Sequence, residues 1–413
     1  MLHATTLRLS PLVLLALAGG AHAQSNWPSF RGPAGGQASS FALAPDAAPD
    51  GAAWHIQLPG AGHSSPVVWG AQVFVTCADP ESDARILVAL GLEDGKEQAR
   101  ASFPFSTYRT HRLNGYVSST PSVDEHGVYL AWNEGGRLIA HGLDHDLKLR
   151  WRKDLGPHAC GHGWGGSSGL QDGTLIIPSD SDAEESFLVG LDPTDGSERW
   201  RRTRSSQRGA YSSPVPGTVE GEVLFGSTAH GLTMLNSSTG ELIWEVDDLF
   251  ESRVVASPVV TDEVAWLMGG SGGGGKHFAA VALPGQADAG QIRYRLRRNL
   301  PYVPSPVYGN GRAYLFSDGG IASAYRTSDG SLLWSERVDG EFFGSPILAG
   351  EQLYALTKSG DLIVLAAGET FTHLATLSLG ERAFSTPAFA QGRLLLRTET
   401  QLFAFASKPN KSR

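Results

Sequence analysis

The sequence predicts an all-β protein, an eight-bladed β-propeller of four-stranded antiparallel blades, from a repeated motif, the strand patterns between its copies and the two ends of the chain. The motif is a small residue, then Ser or Thr, then Pro, and it occurs seven times with a degenerate copy at Ser167–Leu170. The third positions of the eight copies are residues 66, 121, 169, 214, 258, 306, 346 and 387, which lie 40 to 55 residues apart. Such a period indicates one supersecondary unit copied eight times.

Each repeat contains four short strands, named A to D in chain order. In the fourth repeat, strand A begins at Ser213, and strands B, C and D are Val223–Phe225, Leu232–Leu235 and Leu242–Glu245. A turn with Gly precedes a Trp of strand D in three repeats, at Trp200, Trp244 and Trp334. Because these three Trp share one blade position, we expect them to pack between neighbouring blades.

The ends of the chain predict how the ring closes. After Pro387 there is room for three strands only, and the Trp-led strand Trp54–Leu58 has no partner strands of its own. We therefore expect Trp54–Leu58 to be the outer strand of the last blade, which leaves no open edge. The predicted organisation is a signal peptide at 1–23, an N-terminal extension at 24–53, the propeller at 54–406 and a basic tail at 407–413.

The first residues predict export. Arg8, the apolar run Leu12–Ala18 and a small-x-small site ending at Ala23 are typical of a secretory signal peptide. The run is too short to span a bilayer. Loss of Arg8 changes the formal net charge from −9 to −10, which disfavours nucleic acid or an anionic membrane as partner. We predict a periplasmic or extracellular protein without an integral membrane segment after cleavage near Ala23.

The turns before the Trp residues resemble the repeat of the pyrroloquinoline quinone (PQQ) propeller superfamily, Asp-x-x-Thr-Gly-x-x-x-Trp. Asp192–Trp200 and Asn236–Trp244 match it, and Thr327–Trp334 is a degenerate copy. Asn26–Pro33 and Thr110–Pro121 resemble exported bacterial PQQ-binding-like propeller proteins. The resemblance implies the propeller fold, and the superfamily includes quinoprotein dehydrogenases and binding scaffolds of the BamB type.

The dehydrogenase residue set is incomplete in this chain. The resemblance implies a vicinal Cys–Cys disulfide, a Ca²⁺ held by oxygen ligands and an Asp base, and the sequence has no Cys–Cys dipeptide. Acidic residues of the B-to-C loops provide oxygen ligands of the kind that Ca²⁺ prefers, at Asp79, Glu81, Asp83, Glu134, Asp180, Asp182, Glu184, Glu185 and Asp318. Their spacing is not that of an EF-hand. We predict no catalytic residues and no bound metal, with PQQ and Ca²⁺ as the alternative cofactors.

The D-to-A loops carry the candidate site, because in a propeller they line the mouth of the central channel. An aromatic or charged residue precedes each motif copy, at His63, Tyr116, Trp164, Tyr211, Arg253, Tyr302, Phe342 with Phe343, and Phe384. One interpretation is a plug of aromatic rings that replaces a core. The other is an aromatic pocket, with Arg208, Arg253 and Arg382 nearby, that binds a peptide, glycan or aromatic ligand.

Cysteine and histidine residues suggest two further possibilities. Cys77 and Cys160 lie in non-adjacent blades, so we expect free thiols rather than a disulfide. His158, Cys160 and His162 share one loop and suit zinc or copper, although their spacing is not a standard zinc motif. The run Gly272–His277 lacks the Ser or Thr of a phosphate-binding loop.

Three hypotheses of function follow. The first is an exported non-catalytic scaffold that binds a protein, peptide or small ligand at the channel mouth, without the lipid-acceptor Cys of the BamB type. The second is a PQQ- and Ca²⁺-dependent oxidoreductase. The third is a carbohydrate-active or other enzyme, for which the sequence shows no carboxylate pair.

Overall fold

The computed structural model describes residues 26–43, 47–183, 185–206 and 208–407. These residues form eight blades of four antiparallel strands, one of which gains a fifth, parallel strand, and one 3-10 helix, Pro49–Gly51. The predicted all-β, eight-bladed propeller is confirmed. The whole predicted signal peptide, residues 1–23, lies outside the described residues, as do residues 24 and 25 and residues 408–413 of the predicted tail.

The strands follow chain order, four to a blade. Blades 1 to 4 comprise β3 (Val67–Trp69), β4 (Gln72–Asp79), β5 (Ala84–Gly91) and β6 (Glu97–Pro104); β7 (Ser122–Val123), β8 (Val128–Glu134), β9 (Arg137–Leu143) and β10 (Leu149–Pro157); β11 (Gly169–Gln171), β12 (Thr174–Ser179), β13 (Glu185–Leu191) and β14 (Glu198–Ser205); and β15 (Val215–Pro216), β16 (Glu222–Ser227), β17 (Gly231–Asn236) and β18 (Leu242–Val246).

Blades 5 to 8 continue the pattern, and the last two recruit a strand from the N-terminal part of the chain. They comprise β19 (Val259–Val260), β20 (Val264–Ser271), β21 (Gly274–Ala282) and β22 (Ile292–Leu296); β23 (Val307–Gly309), β24 (Arg312–Phe316), β25 (Ile321–Arg326) and β26 (Leu332–Arg337); β27 (Ile347–Ala349), β28 (Gln352–Leu356), β29 (Asp361–Ala366) and β30 (His373–Ser378) with β1 (Gln37–Ala38); and β31 (Ala388–Ala390), β32 (Arg393–Arg397) and β33 (Gln401–Ala406) with β2 (Trp54–Gln57).

Strand β2 closes the ring as the sequence predicts. It pairs antiparallel with β33, with Trp54 opposite Ala404 and Gln57 opposite Gln401. The first and last strands of the propeller therefore share blade 8, and the outer edge of β33 is covered.

A ring of eight hydrogen bonds around the channel explains the repeated motif. In each blade, the backbone N–H of the hydroxyl residue of the motif donates to the hydroxyl oxygen of its counterpart in the next blade, over 2.9 to 3.2 Å. The last bond, from Thr386 to Ser65, completes the circle. The members of this hydroxyl ring are Ser65, Thr120, Ser167, Ser213, Ser257, Ser305, Ser345 and Thr386.

The third copy of the motif is displaced by one residue from the predicted register. Ser167, not Ser168, accepts the hydrogen bond from Thr120, so Ser168 stands where the other copies have Pro. Without a Pro to mark the position, the two adjacent Ser residues gave the wrong alignment. The predicted third position at residue 169 is therefore corrected to residue 168.

The Trp residues of the outer strands join each blade to the next. The indole N–H of Trp200 donates to the Ser237 carbonyl at 2.9 Å, and that of Trp334 donates to the Gly368 carbonyl at 3.0 Å. The Trp200 ring packs on Gly240, where φ is +71° and a Cβ would lie 2.6 Å from the ring. Only Gly satisfies both the turn and this close contact.

The same contact occurs at blade positions that the Trp pattern did not reveal. Trp54 and Trp151 donate to Leu92 and Pro193 carbonyls at 2.9 and 3.0 Å, and in blade 5 the hydroxyl of Tyr294 donates to Thr327 at 2.9 Å. Trp244 differs, because it is half-buried and its indole N–H has no acceptor among the residues that the structure describes.

The N-terminal segment 26–43 crosses the end of the channel beyond the hydroxyl ring. Trp27, which is fully buried, pairs with Val68 of blade 1, and β1 runs parallel to β27 of blade 7. Between them, Phe30 lines the channel cavity. The segment predicted only as an extension thus forms the floor of the channel. In the described ranges, no helix is long and apolar enough to cross a membrane.

Candidate functional site

A cavity of about 470 Å³ lies on the axis of the propeller. All eight members of the hydroxyl ring line it, with Phe30 beneath them and the D-to-A loops above. Six of the predicted site residues lie on its wall, namely His63, Tyr211, Arg253, Tyr302, Phe343 and Phe384. Their separate loops converge because the ring brings the start of every inner strand to the axis.

One side of the wall is an aromatic cluster from blades 7, 8 and 1. The Phe384 ring lies 4.3 Å from His63 and 5.5 Å from Phe343, centroid to centroid, and the Arg382 guanidinium lies 4.9 Å above it. His63 Nε2 is 3.7 Å from the Glu399 carboxylate. Burial lowers the pKa of His63 despite this nearby carboxylate, so the imidazole is mainly neutral at pH 7.

The opposite side is organised by Arg253. Its guanidinium donates to His162 Nδ1 at 2.8 Å and to the Tyr211 hydroxyl at 3.3 Å, and it pairs with the Asp182 carboxylate at 3.3 Å. The Asp182 carboxylate also accepts from the backbone N–H groups of Gly161 and Gly209. These contacts fix the cation at the rim, where its side chain is 14% exposed and lines the cavity.

Tyr302 and Asp318 stand beside each other on the blade 6 wall. The Asp318 carboxylate accepts from the backbone N–H groups of Tyr302 at 2.6 Å and Val303 at 3.2 Å. Burial raises the pKa of Asp318 to about 6 even though these two bonds favour the charged form. The carboxyl group is therefore close to its titration point near neutral pH.

The long loop between blades 1 and 2 covers part of the mouth. Its exposed residues His111 and Arg112 line the cavity, and Asn114 Nδ2 donates to the His162 carbonyl at 2.7 Å. The rings of His111 and His162 lie 5.4 Å apart. Sequence reasoning found this stretch only as a family resemblance, because the loop belongs to one blade and does not repeat.

Three predicted rim residues do not face the cavity. Trp164 is 4% exposed and meets His158 edge to face, and Phe342 is fully buried against Phe316. Tyr116 packs on Phe105 and Tyr108. None of the three lines the axial cavity, because their side chains pack against neighbouring rings instead. Arg208 likewise bonds to the Glu251 carbonyl and does not line the cavity.

The candidate metal ligands have other partners. His158 Nδ1 lies 2.9 Å from the Ser179 hydroxyl, Cys160 Sγ lies 2.9 Å from the Tyr211 hydroxyl, and His162 accepts from Arg253. Across the described ranges, no group of three or more His, Cys, Asp or Glu side chains is placed to hold a metal ion. Cys77 and Cys160 are both free thiols.

The acidic B-to-C loops do not form an oxygen cage. Asp180 pairs with Arg204 at 2.6 Å, Glu134 pairs with Arg152 at 2.7 Å, and Asp79 accepts from Ser82 at 2.5 Å. Glu184 lies outside the described residues. Asp318 is the one carboxylate that lines the cavity within the described part of the chain.

Part of the chain is similar in sequence to known proteins. The family described as outer membrane protein assembly factor BamB matches residues 185–282 and 295–375. BamB of Moranella endobia is 23% identical over 202 residues, which cover 43% of this chain and 50% of that protein. BamB of Yersinia pestis is 21% identical over 216 residues, which cover 47% and 52%. The chain thus spans about half the length of these curated relatives.

Solved structures share the fold at low sequence identity. BamB from Moraxella catarrhalis superposes with a TM-score of 0.65 at 16% identity, covering 87% of this chain and 98% of that one. A europium-containing methanol dehydrogenase gives 0.69 at 10%, covering 92% and 98%. The quinohemoprotein alcohol dehydrogenase from Comamonas testosteroni gives 0.69 at 12%, covering 95% and 82%. These likenesses bear on the fold alone, and with the matched repeats they lead to one conclusion: the chain is an eight-bladed β-propeller of PQQ-like repeats.

Proposed function

We propose that this protein is an exported, non-catalytic scaffold that binds a protein, peptide or small ligand at the mouth of its channel. The observation that carries the proposal is the axial cavity, about 470 Å³ in volume, with Phe30 at its floor and aromatic side chains from several loops on its wall. A concave, mainly apolar site with a few fixed polar groups is the usual form of a ligand pocket.

The relatives support a binding role rather than chemistry. The curated relatives are named as outer membrane protein assembly factors. By analogy, this chain acts in the periplasm, after cleavage near Ala23, on a protein or peptide partner. The fold alone would not decide between a scaffold and an enzyme, because one fold carries many functions.

The quinoprotein alternative is less well supported by the residues at the axis. A Ca²⁺ ion needs six to eight oxygen ligands, whereas Asp318, the one carboxylate on the described cavity wall, already accepts two backbone N–H bonds. The residues do not fit the PQQ and Ca²⁺ pair. Titration of the purified protein with PQQ and Ca²⁺ tests this directly, and a stoichiometric quinone absorbance change would favour the oxidoreductase.

Photo-crosslinking tests the binding function. A benzophenone amino acid replaces Tyr302 on the cavity wall or, as the control, Leu332, which is 55% exposed on the outer strand β26. We expect a discrete adduct in cells from position 302 and none from position 332. Equal adduct patterns from both positions, or none from position 302, would overturn the proposal.

A further inference from the structure

The hydroxyl ring has donors that the protein does not use. A Ser or Thr hydroxyl has one proton and two lone pairs, and each ring oxygen already accepts a backbone N–H bond. All eight side chains are at most 5% exposed and line the axial cavity. Among the described residues, none of the eight hydroxyls donates a hydrogen bond to protein. The ring therefore presents eight O–H donors to the axis.

Acceptance of an N–H bond improves each hydroxyl as a donor. Hydrogen bonds in a chain polarise one another, and the effect is larger in a buried, low-dielectric environment. The closed circle applies this polarisation to every member of the hydroxyl ring. The natural complement on the axis is a group with several acceptor lone pairs.

Two buried guanidinium groups bond to backbone carbonyls next to the hydroxyl ring, outside the cavity lining, and neither has an ion-pair partner among the described residues. Arg397 is fully buried and donates to the carbonyl of Ser64 at 2.8 Å, one residue from Ser65. Arg31 is 2% exposed and donates to the carbonyl of Pro306, one residue from Ser305. Neither forms an ion pair with a described residue.

The electrostatics of this pair favour an anion nearby. An uncompensated buried charge is costly, and burial lowers the pKa of Arg31 to about 9 and that of Arg397 in the same direction. Neither guanidinium group lines the axial cavity, so the pair would act on an anion there through its positive potential and not by direct contact. The Asp318 carboxylate on the described wall would repel such an anion when ionised. Its oxygens already accept hydrogen bonds from the backbone N–H groups of Tyr302 and Val303.

We propose that the hydroxyl ring binds a carboxylate on the channel axis, with an aromatic body of the ligand packed against Phe343, Phe384 and Tyr302. This inference rests on the proposed ligand-binding function of the same cavity and names its ligand class. The carboxylate comes from a small aromatic acid or from the C-terminus of a peptide that ends in an aromatic residue. Both sources present the same group to the ring.

Calorimetry on the full mature protein distinguishes the sources. The probes are phenylacetate and its uncharged amide, and a hexapeptide ending in Phe with a free or an amidated C-terminus. We expect at least one free acid to bind about tenfold or more tightly than its amide, because hydrogen bonds to charged groups contribute more than those to neutral ones. Preference for the small acid or for the peptide identifies the source.

Ring variants locate the effect. Ser345→Ala removes one donor, and Ser345→Thr keeps it. We expect about tenfold weaker binding of the acid by Ser345→Ala, with affinity retained by Ser345→Thr and amide binding unchanged in both. If Ser345→Ala does not fold, the affinities of the unaltered protein for the acid and the amide still test the carboxylate site.

The outcomes separate this inference from the proposed function. Equal affinities for acid and amide, both lost in Tyr302→Ala, would overturn the carboxylate site and leave ligand binding at the mouth intact. The absence of binding by any probe would overturn the carboxylate site, while the crosslinking experiment decides the proposed function independently. If only water occupies the hydroxyl ring, no probe binds, and the carboxylate site is overturned.

Discussion

The two ends of the central channel are built by opposite rules. At the hydroxyl ring, every blade contributes the same group in the same way, through eight equivalent hydrogen bonds. At the mouth, the loops contribute residues of several different kinds, from Arg253 in one loop to Phe384 in another. The repeated hydrogen bonds therefore close the ring, whereas the differing loop residues give the site chemically distinct walls.

Removal of the N-terminal strand is the strongest way to break the repeated part. A chain that lacks residues 24–60 loses β2 from blade 8 and Phe30 from the floor. We expect no soluble folded monomer, because the edge of β33 would be open to other chains. Size-exclusion chromatography checks this, and a shortened protein as soluble and stable as the parent would contradict the closure.

The Trp contacts between blades come next in size. Trp200→Ala and Trp334→Ala should each lower the free energy of unfolding by about 3–5 kcal/mol, because each removes a buried ring and an indole hydrogen bond. Trp244→Ala is the matched control at the same blade position, half-buried and without that bond, and it should cost about 1–2 kcal/mol. Equal losses in denaturant melts would show that the contact to the next blade contributes little.

Asp318 allows a test of the mouth by pH. Its pKa is raised to about 6 when folded, against 3.8 for the ordinary group, so the folded state binds the proton first. Stability from this group is therefore gained as pH falls below 6 and lost as pH rises. Relative to Asp318→Asn, the free energy of unfolding of the parent protein should increase by about 2 kcal/mol between pH 7 and 4.5. A difference that does not change with pH would mean an ordinary pKa.

The smallest expected loss of stability distinguishes side chains that line the cavity from side chains that are packed in the interior. Tyr302→Ala should cost about 1 kcal/mol or less and weaken ligand capture, because the ring lines the open cavity. Trp164→Ala serves as the comparison, and it should be far more destabilising because Trp164 is 4% exposed. If both changes cost the same, the rim aromatics act together as a plug.

The same contrast explains what the sequence could predict. The motif period and the unpaired strand at Trp54 were sufficient for eight blades and for their closure, because each signal recurs or has one possible partner. The register failed only at Ser167, where the Pro marker is missing.

Prediction of the site was less complete because rim residues do not repeat. An aromatic at a given loop offset can face the axis, as Tyr302 does, or turn between blades, as Trp164 does. That choice depends on packing with neighbours distant in sequence. The floor was missed because Phe30 lies in a segment without a repeat signal.

Amide hydrogen exchange across the whole chain tests the central contrast most directly. The eight ring amides, at residues 65, 120, 167, 213, 257, 305, 345 and 386, donate within one closed circle. They should exchange together and only through global unfolding. The exposed mouth loop around His111 and Arg112 should exchange many times faster. Early exchange at the ring amides of one blade, or equal protection of ring and mouth loop, would contradict the account.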